Sequence, residues 1–177
     1  AFIRLGRPQF LVGGFVMHAL GAAMARSAGV SIDPLVYAWG QLAITSTQFM
    51  TQYANEYFDV EADNANRSPT PWSGGSRVLQ EGEVPPRAAL IAAIVLAMIA
   101  IGTSLVLAVG VGTGALTLPL IWTAIVLSWA YSAPPLRLHS HGLGELTVAL
   151  VVPGLTPLVG YYLQAGQLTA MPVLTVL

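Results

Sequence analysis

The chain contains no cysteine and no lysine, and charged residues fill only 8 % of its 177 positions. Without cysteine, disulfides play no part in its stability. Without lysine, seven arginines are the whole strongly basic complement. A soluble domain is about 25 % charged, so a chain that is 55 % hydrophobic, 8 % charged and of mean hydropathy +0.69 is not one. Uncharged runs over 88–109 and 111–136 reach the ~20 residues that a helix needs to cross the hydrocarbon core. The bilayer is therefore the expected solvent, and no nucleic acid is expected as a partner.

Hydrophobic runs and their punctuation predict an all-α membrane protein with helices at 8–28, 35–62, 87–109, 112–131 and 143–166, and a sixth starting near 169. Gly29, Pro34, Pro85, Pro86, the glycines of 110–114, Pro134, Pro135 and Gly166 mark the joints. Pro153 and Pro157 fall inside a helical stretch, which membrane helices tolerate when neighbours satisfy the freed backbone groups. One compact transmembrane domain over 1–177 is the simplest organisation.

Arginine sets the orientation. Arg4 and Arg7 precede the first helix, Arg67, Arg77 and Arg87 lie between the second and third, and Arg137 lies between the fourth and fifth, whereas the opposite end receives only Arg26. The positive-inside rule puts the arginine-rich end, with the N-terminus, in the cytoplasm. Tyr37, Trp39, Tyr161 and Tyr162 are expected at the outer interface, and Trp129 and Tyr131 at the inner one.

Residues 55–63, NEYFDVEAD, hold four of the eight acidic residues. Gln41, Thr45, Gln48, Gln52, Asn55, Glu56, Asp59 and Asp63 recur every three or four residues, so they form one stripe along a helix, and Glu61 falls off it. Such a line is costly against lipid and should face a protein-lined cavity. For Gln41 and Thr45, hydrogen bonding between helices serves equally well. Three carboxylates on one face repel one another and call for a cation. Carboxylate and amide oxygens without a thiol favour magnesium, with calcium or manganese as alternatives, and magnesium is commonly shared with substrate phosphates. Downstream, Ser73, Gly74, Gly75 and Ser76 can turn backbone amides toward an anion, with Arg67 and Arg77 as charged donors.

NEYFDVEAD resembles the first aspartate-rich motif of the UbiA superfamily of intramembrane prenyltransferases, Asn-Asp-x-x-Asp-x-x-x-Asp. Asn55, Asp59 and Asp63 match, and Glu56 replaces the first aspartate with a longer carboxylate. GGSRVLQEG, YSAPPLRLHSHGLGEL and PGLTPLVGYYLQAGQL resemble the corresponding loop and the fourth-to-fifth helix region of the branch containing dihydroxynaphthoate prenyltransferases of menaquinone synthesis. The resemblance implies a helical bundle around a central cavity, of which this chain supplies five complete helices and the start of a sixth out of an expected nine. It also implies an isoprenyl diphosphate bound through Mg2+ and an aromatic acceptor. By matching position, Asn55, Glu56, Asp59 and Asp63 are the candidate metal ligands. Arg77, with Arg67, Ser76, Gln48 and Gln52, is on the substrate side, and Asp59, Asp63 and Tyr131 are the catalytic candidates, Tyr131 near the reacting carbon.

Magnesium and arginine would stabilise a departing diphosphate, and a dry cavity with aromatic faces would shelter the allylic cation. His139 and His141 read as solvated turn residues, His18 as a packed and hydrogen-bonded one, and Glu145 as an acid complementing a helix N-terminus. A transporter or a non-catalytic subunit of a membrane assembly would also explain a polar cavity. Hydroxybenzoate, homogentisate, chlorophyllide, haem and glycerol phosphate lipids remain alternative acceptors. The family's second aspartate-rich motif lies at the end of the sixth helix, and no acidic residue follows Glu145. Residues 1–177 alone are therefore expected to be inactive, as part of a longer protein.

Overall fold

The structure, a computed structural model, describes residues 1–70 and 73–169, and the expected sixth helix lies almost wholly outside them. The described residues are helical, in the order α1 (Phe2–Leu5), α2 (Leu11–Ser27), α3 (Pro34–Phe58), α4 (Val60–Ala65), α5 (Pro86–Leu105), α6 (Thr117–Ser132), α7 (Gly144–Ala149) and α8 (Thr156–Ala165). Single 3-10 turns at Pro8–Phe10 and Leu138–His141 and π turns at Val106–Val111 and Leu150–Leu155 complete the list. Among the described residues, three continuous helical stretches are long and apolar enough to cross a membrane: Pro8–Ser27, Pro86–Val111 and Gly144–Ala165. Thr117–Ser132 is apolar but shorter. α3, with 25 residues, is about 37 Å long at 1.5 Å per residue, and its polar stripe keeps it out of the apolar class.

α3 is the axis of the bundle. Its start is fixed by Asp33, whose carboxylate accepts from Leu35 N and Val36 N, with Pro34 in the first turn. It packs most extensively on α5 and also meets α2, α6 and α8. Val36, Ala43 and Met50 of α3, Ala100 of α5 and Ile121 and Ile125 of α6 form the inner core. Between α2 and α8 small residues set the separation. A Cβ on Gly21 would stand 2.1 Å from Pro157 O, and one on Gly160 would stand 2.5 Å from His18 O.

The differences from the sequence-based expectations have local causes. The second predicted helix is interrupted at Asp59 (φ −103°, ψ 7°), although Asp59 N to Asn55 O (2.9 Å) and Asp63 N to Asp59 O (2.8 Å) carry the hydrogen-bond ladder across the joint. The fourth helix begins at Thr117 rather than 112, because Gly112 and Gly114 have φ of +78° and +110°, a conformation incompatible with a helix. The fifth contains a π turn around Pro153, which has no N–H to continue the α-helical ladder, and where the turn ends both the backbone N–H and the Oγ1 of Thr156 donate to Val151 O, the hydroxyl at 2.9 Å. Tyr161 and Tyr162 are buried, not interfacial. Tyr162 Oη accepts from Leu116 N at 2.9 Å and Tyr161 Oη pairs with Thr169 Oγ1 at 3.0 Å, so both join α8 to connecting segments.

Connections gather at one end of the bundle. The loop 66–85 is pinned there by Val78, Leu79 and Val84, which pack with Leu5, Tyr53, Ala54, Ala89 and Ala93. Arg4 pairs with Glu81 (2.9 Å) and Glu83 (2.8 Å), which holds the Glu81 carboxyl below its ordinary range through the hydrogen bond from Arg4. The C-terminal end of α3, this loop and the turn at Leu138–His141 thereby face a common space.

Candidate functional site

Asp59 sits at the joint of α3 and α4 and is buried. Its Oδ1 lies 3.0 Å from His139 Nε2 and 3.9 Å from an Arg137 nitrogen. Its Oδ2 accepts from Asn55 Nδ2 and, at 3.4 Å, from Ser132 Oγ, to which Asn55 also donates at 2.9 Å. Arg137 NH2 further donates to Phe58 O at 3.2 Å, closing the carbonyl end of α3. Burial pushes the Asp59 carboxyl above its ordinary range, opposed by the charge and hydrogen bond of His139.

One turn earlier, Glu56 is fully buried. Ser76 N donates to its Oε1 at 2.6 Å and Ser76 Oγ donates to its Oε2 at 2.8 Å. The Ser-Gly-Gly-Ser loop turns its Ser76 amide and hydroxyl toward an acidic group of the chain itself, the Glu56 carboxyl. Ser73 N has no such role, since it donates back to Thr70.

Asp63 lies one turn beyond Asp59. Its main-chain O accepts from Arg77 NH1 at 2.7 Å, while its Oδ2 is buried without a hydrogen-bond partner. Gly75 forms the wall opposite: at φ +70° it passes so close that a Cβ there would stand 2.3 Å from Asp63 Oδ2. Burial, and then the charge of Asp59, push the Asp63 carboxyl up. An unsatisfied buried carboxylate oxygen is costly unless something else supplies the charge. As they lie, no three histidine or acidic side chains among the described residues form a metal-holding group. The donor chemistry of Asn55, Glu56, Asp59 and Asp63, together with the open oxygen of Asp63, nevertheless fits a hard cation.

Two spaces are lined by residues that touch the carboxylate cluster. One is a cleft of about 500 Å3, lined by Arg4, Arg7 and Arg77 with Thr70, Gly75 and Ser76. Arg7 is buried, with its guanidinium 4.5 Å above the Phe10 ring, and its charge acts on both Glu56 and Asp63. Arg7, Arg77 and Arg137 are the non-glycine residues with positive φ among the described ones (45°, 68° and 40°). Backbone strain of that kind costs on the order of 1–3 kcal/mol each and gathers at functional sites. The other is a mostly apolar cavity of about 180 Å3 between α3, α6 and the α7–α8 stretch, lined by Gln48, Gln52 and Tyr131 among others.

The predicted residues thus divide. Asn55, Glu56, Asp59, Asp63, Ser76 and Arg77 come together, and Gln48, Gln52 and Tyr131 line the adjoining cavity. Arg67 stands apart: it is exposed on the loop and is hydrogen-bonded to none of them. Gln41 serves packing, with its Oε1 3.0 Å from His18 Nδ1 and its Nε2 donating to Thr45 Oγ1 at 3.0 Å. His18 is accordingly a buried, hydrogen-bonded residue stacked on Tyr37. His139 corrects the expectation of a solvated turn. It is one-quarter exposed, bound to Asp59 and stacked on Tyr131 with ring centroids 5.3 Å apart. His141 remains exposed, its Nδ1 3.2 Å from Arg137 O. Arg7 was legible only as a topological charge, since nothing in its local sequence announces burial.

No curated protein matches the chain, and no solved structure does. The UbiA prenyltransferase family, whose members are membrane prenyltransferases that typically use Mg2+, matches residues 15–177, so the helical chain carrying these carboxylates belongs to that family.

Proposed function

We propose that the protein transfers an isoprenyl group from a prenyl diphosphate to an aromatic acceptor in the membrane, with Mg2+ held by Asp59 and Asp63 and by the neighbouring oxygens of Asn55 and Glu56. The observation that carries this reading is that the carboxylates contact residues of both spaces: Glu56 and Asp63 are bonded to Ser76 and Arg77 of the arginine-lined cleft, and Asp59 is linked through His139 to Tyr131 of the apolar cavity. A lipid diphosphate has the same division: a polyanionic head and a hydrocarbon tail. In this reading Arg77 and Arg7 meet the head, and the cavity lined by Gln48, Gln52 and Tyr131 receives the first part of the tail.

Bound Mg2+ would neutralise charge developing on the leaving diphosphate. Arg77, anchored to Asp63 O, offers its remaining N–H groups to the same anion. Tyr131 presents a ring face to the allylic carbon, which attracts a cation without acting as a base. The apolar walls exclude the water that would otherwise quench it. The proposed acceptor is a dihydroxynaphthoate, on the strength of the GGSRVLQEG and YSAPPLRLHSHGLGEL stretches. The arginine-rich end, and the site with it, faces the cytoplasm by the positive-inside rule.

The test is to reconstitute the full-length protein in vesicles with a labelled isoprenyl diphosphate, a panel of aromatic acceptors, and Mg2+ or chelator. Magnesium-dependent appearance of a prenylated acceptor supports the reading. Passage of label across the bilayer with the diphosphate covalently unchanged would identify a transporter and overturn it.

A further inference from the structure

His139 belongs neither to the acidic motif nor to the arginine cleft, yet it touches both halves of the site. Its ring lies on Tyr131 at an interplanar angle of 27°, and its Nε2 points at Asp59 Oδ1, 3.0 Å away. The turn that carries it is fixed from both sides, by Arg137 at φ 40° before it and Gly142 at φ 77° after it. Gly144 clears room behind: a Cβ there would stand 3.2 Å from His139 Cα and 3.5 Å from Tyr131 Cε2. Ser140 Oγ lies 3.3 Å from the same Nε2, so the imidazole edge is held at the mouth of the site.

We propose that His139 is a positioning residue for prenyl transfer: from its stack on Tyr131 it donates Nε2–H to Asp59 Oδ1 and thereby fixes the carboxylate of the α3–α4 joint relative to the aromatic face of α6. The inference rests on the prenyl-transfer reading for its consequence, but its geometry stands independently. Asp59 has two oxygens and could rotate about its side-chain bonds. With Oδ1 held by His139 and Oδ2 by Asn55 and Ser132, one orientation is selected. Hydrogen bonds to the back of a ligating carboxylate commonly govern metal affinity or activity by about 10–100-fold. The stack on Tyr131 adds a second function, because it ties the residue beside the reacting carbon to the residue beside the leaving group.

Two variants separate the parts of this role in the full-length protein. His139→Phe keeps an aromatic ring on Tyr131 and loses the donor, whereas His139→Gln keeps an N–H donor and loses the ring. The first readout needs no turnover: direct Mn2+ binding to the purified protein, followed by the loss of the free-ion paramagnetic resonance signal. The second is the imidazole nitrogen spectrum of labelled protein without metal, in which His139 should show the Nε2–H tautomer and lose the Asp59-dependent shift in Asp59→Asn. Third, activity should show a higher Mg2+ requirement in His139→Phe, by about tenfold, with the maximal rate changed less, and partial recovery in His139→Gln. Unchanged Mn2+ binding and Mg2+ requirement in His139→Phe, or equal failure of both variants with lowered thermal stability, would overturn the positioning role. If the wild-type protein transfers no prenyl group at all, the proposed function fails, and the Mn2+ and tautomer measurements still decide the role of His139.

Discussion

Gly75 and Gly82 offer a controlled way to disturb the site without touching a charge. Both lie in the loop between α4 and α5 with nearly equal positive φ, +70° and +72°. Alanine at either position meets the same backbone penalty, about 1–2 kcal/mol for an L-residue in the left-handed region. Their surroundings differ. A Cβ at Gly82 meets nothing within 4 Å, whereas at Gly75 it would stand 2.3 Å from Asp63 Oδ2 and 3.5 Å from Glu56 Oε1. Ordinary contact starts near 3.4 Å, so the Asp63 carboxylate has to retreat by about 1 Å. Because that carboxylate is the end of a side chain, the retreat adds little to the stability cost. A displacement of about 1 Å can nevertheless cost roughly 10²-fold in rate. Gly75→Ala and Gly82→Ala in the full-length protein should therefore lower the thermal unfolding midpoint by similar amounts, while only Gly75→Ala lowers magnesium-dependent prenyl transfer, by about a hundredfold per folded molecule. Unfolding is followed by intrinsic fluorescence in detergent and transfer by labelled product. Equal activity of the two variants would refute the assignment of Asp63 as a ligand placed by the loop.

Three further outcomes follow from the same geometry. Asp59→Ala and Asp63→Ala should abolish magnesium-dependent turnover, while Glu61→Ala, at an exposed position off the stripe, should be mild; equal loss in all three, measured as diphosphate release, would mean that charge alone matters. Gly21→Ala forces a methyl against the α8 backbone, 2.1 Å from Pro157 O, and should destabilise by about 1–3 kcal/mol, whereas Gly102→Ala, with nothing within 4 Å, should not lower the unfolding midpoint. Single cysteines at the exposed positions Ser68 and Ser140 should react with an impermeant thiol reagent from the cytoplasmic side and one at Ser31 from the other; labelling of Ser31 and Ser140 from the same side would reject the proposed topology.

The sequence by itself determined the solvent, the helical class and the stripe. A deficit of charge and long apolar runs permit little else in a bilayer, and the spacing of Gln48, Gln52, Asn55, Glu56, Asp59 and Asp63 strings them along one hydrogen-bond ladder, although the joint at Asp59 that divides it between α3 and α4 was not legible. Those properties are local, since each follows from neighbours within a turn or two. Only the tertiary structure decided which groups complete the site. Ser76 reaches Glu56 across 20 residues, Arg4 reaches Glu81 across 77, and His139 reaches Asp59 across 80. No periodicity encodes such distances. For the same reason Arg7 and Arg67 look alike as residues of one positive end, yet one is buried beside the carboxylates and the other is exposed. Tyr161 and Tyr162, which composition would place at the interface, are drawn inside because the glycine seam brings α8 onto α2 and their hydroxyls find partners in the connecting segments, at Thr169 and Leu116. Burial of a polar group depends on a partner supplied from far along the chain, and only the packed bundle supplies it.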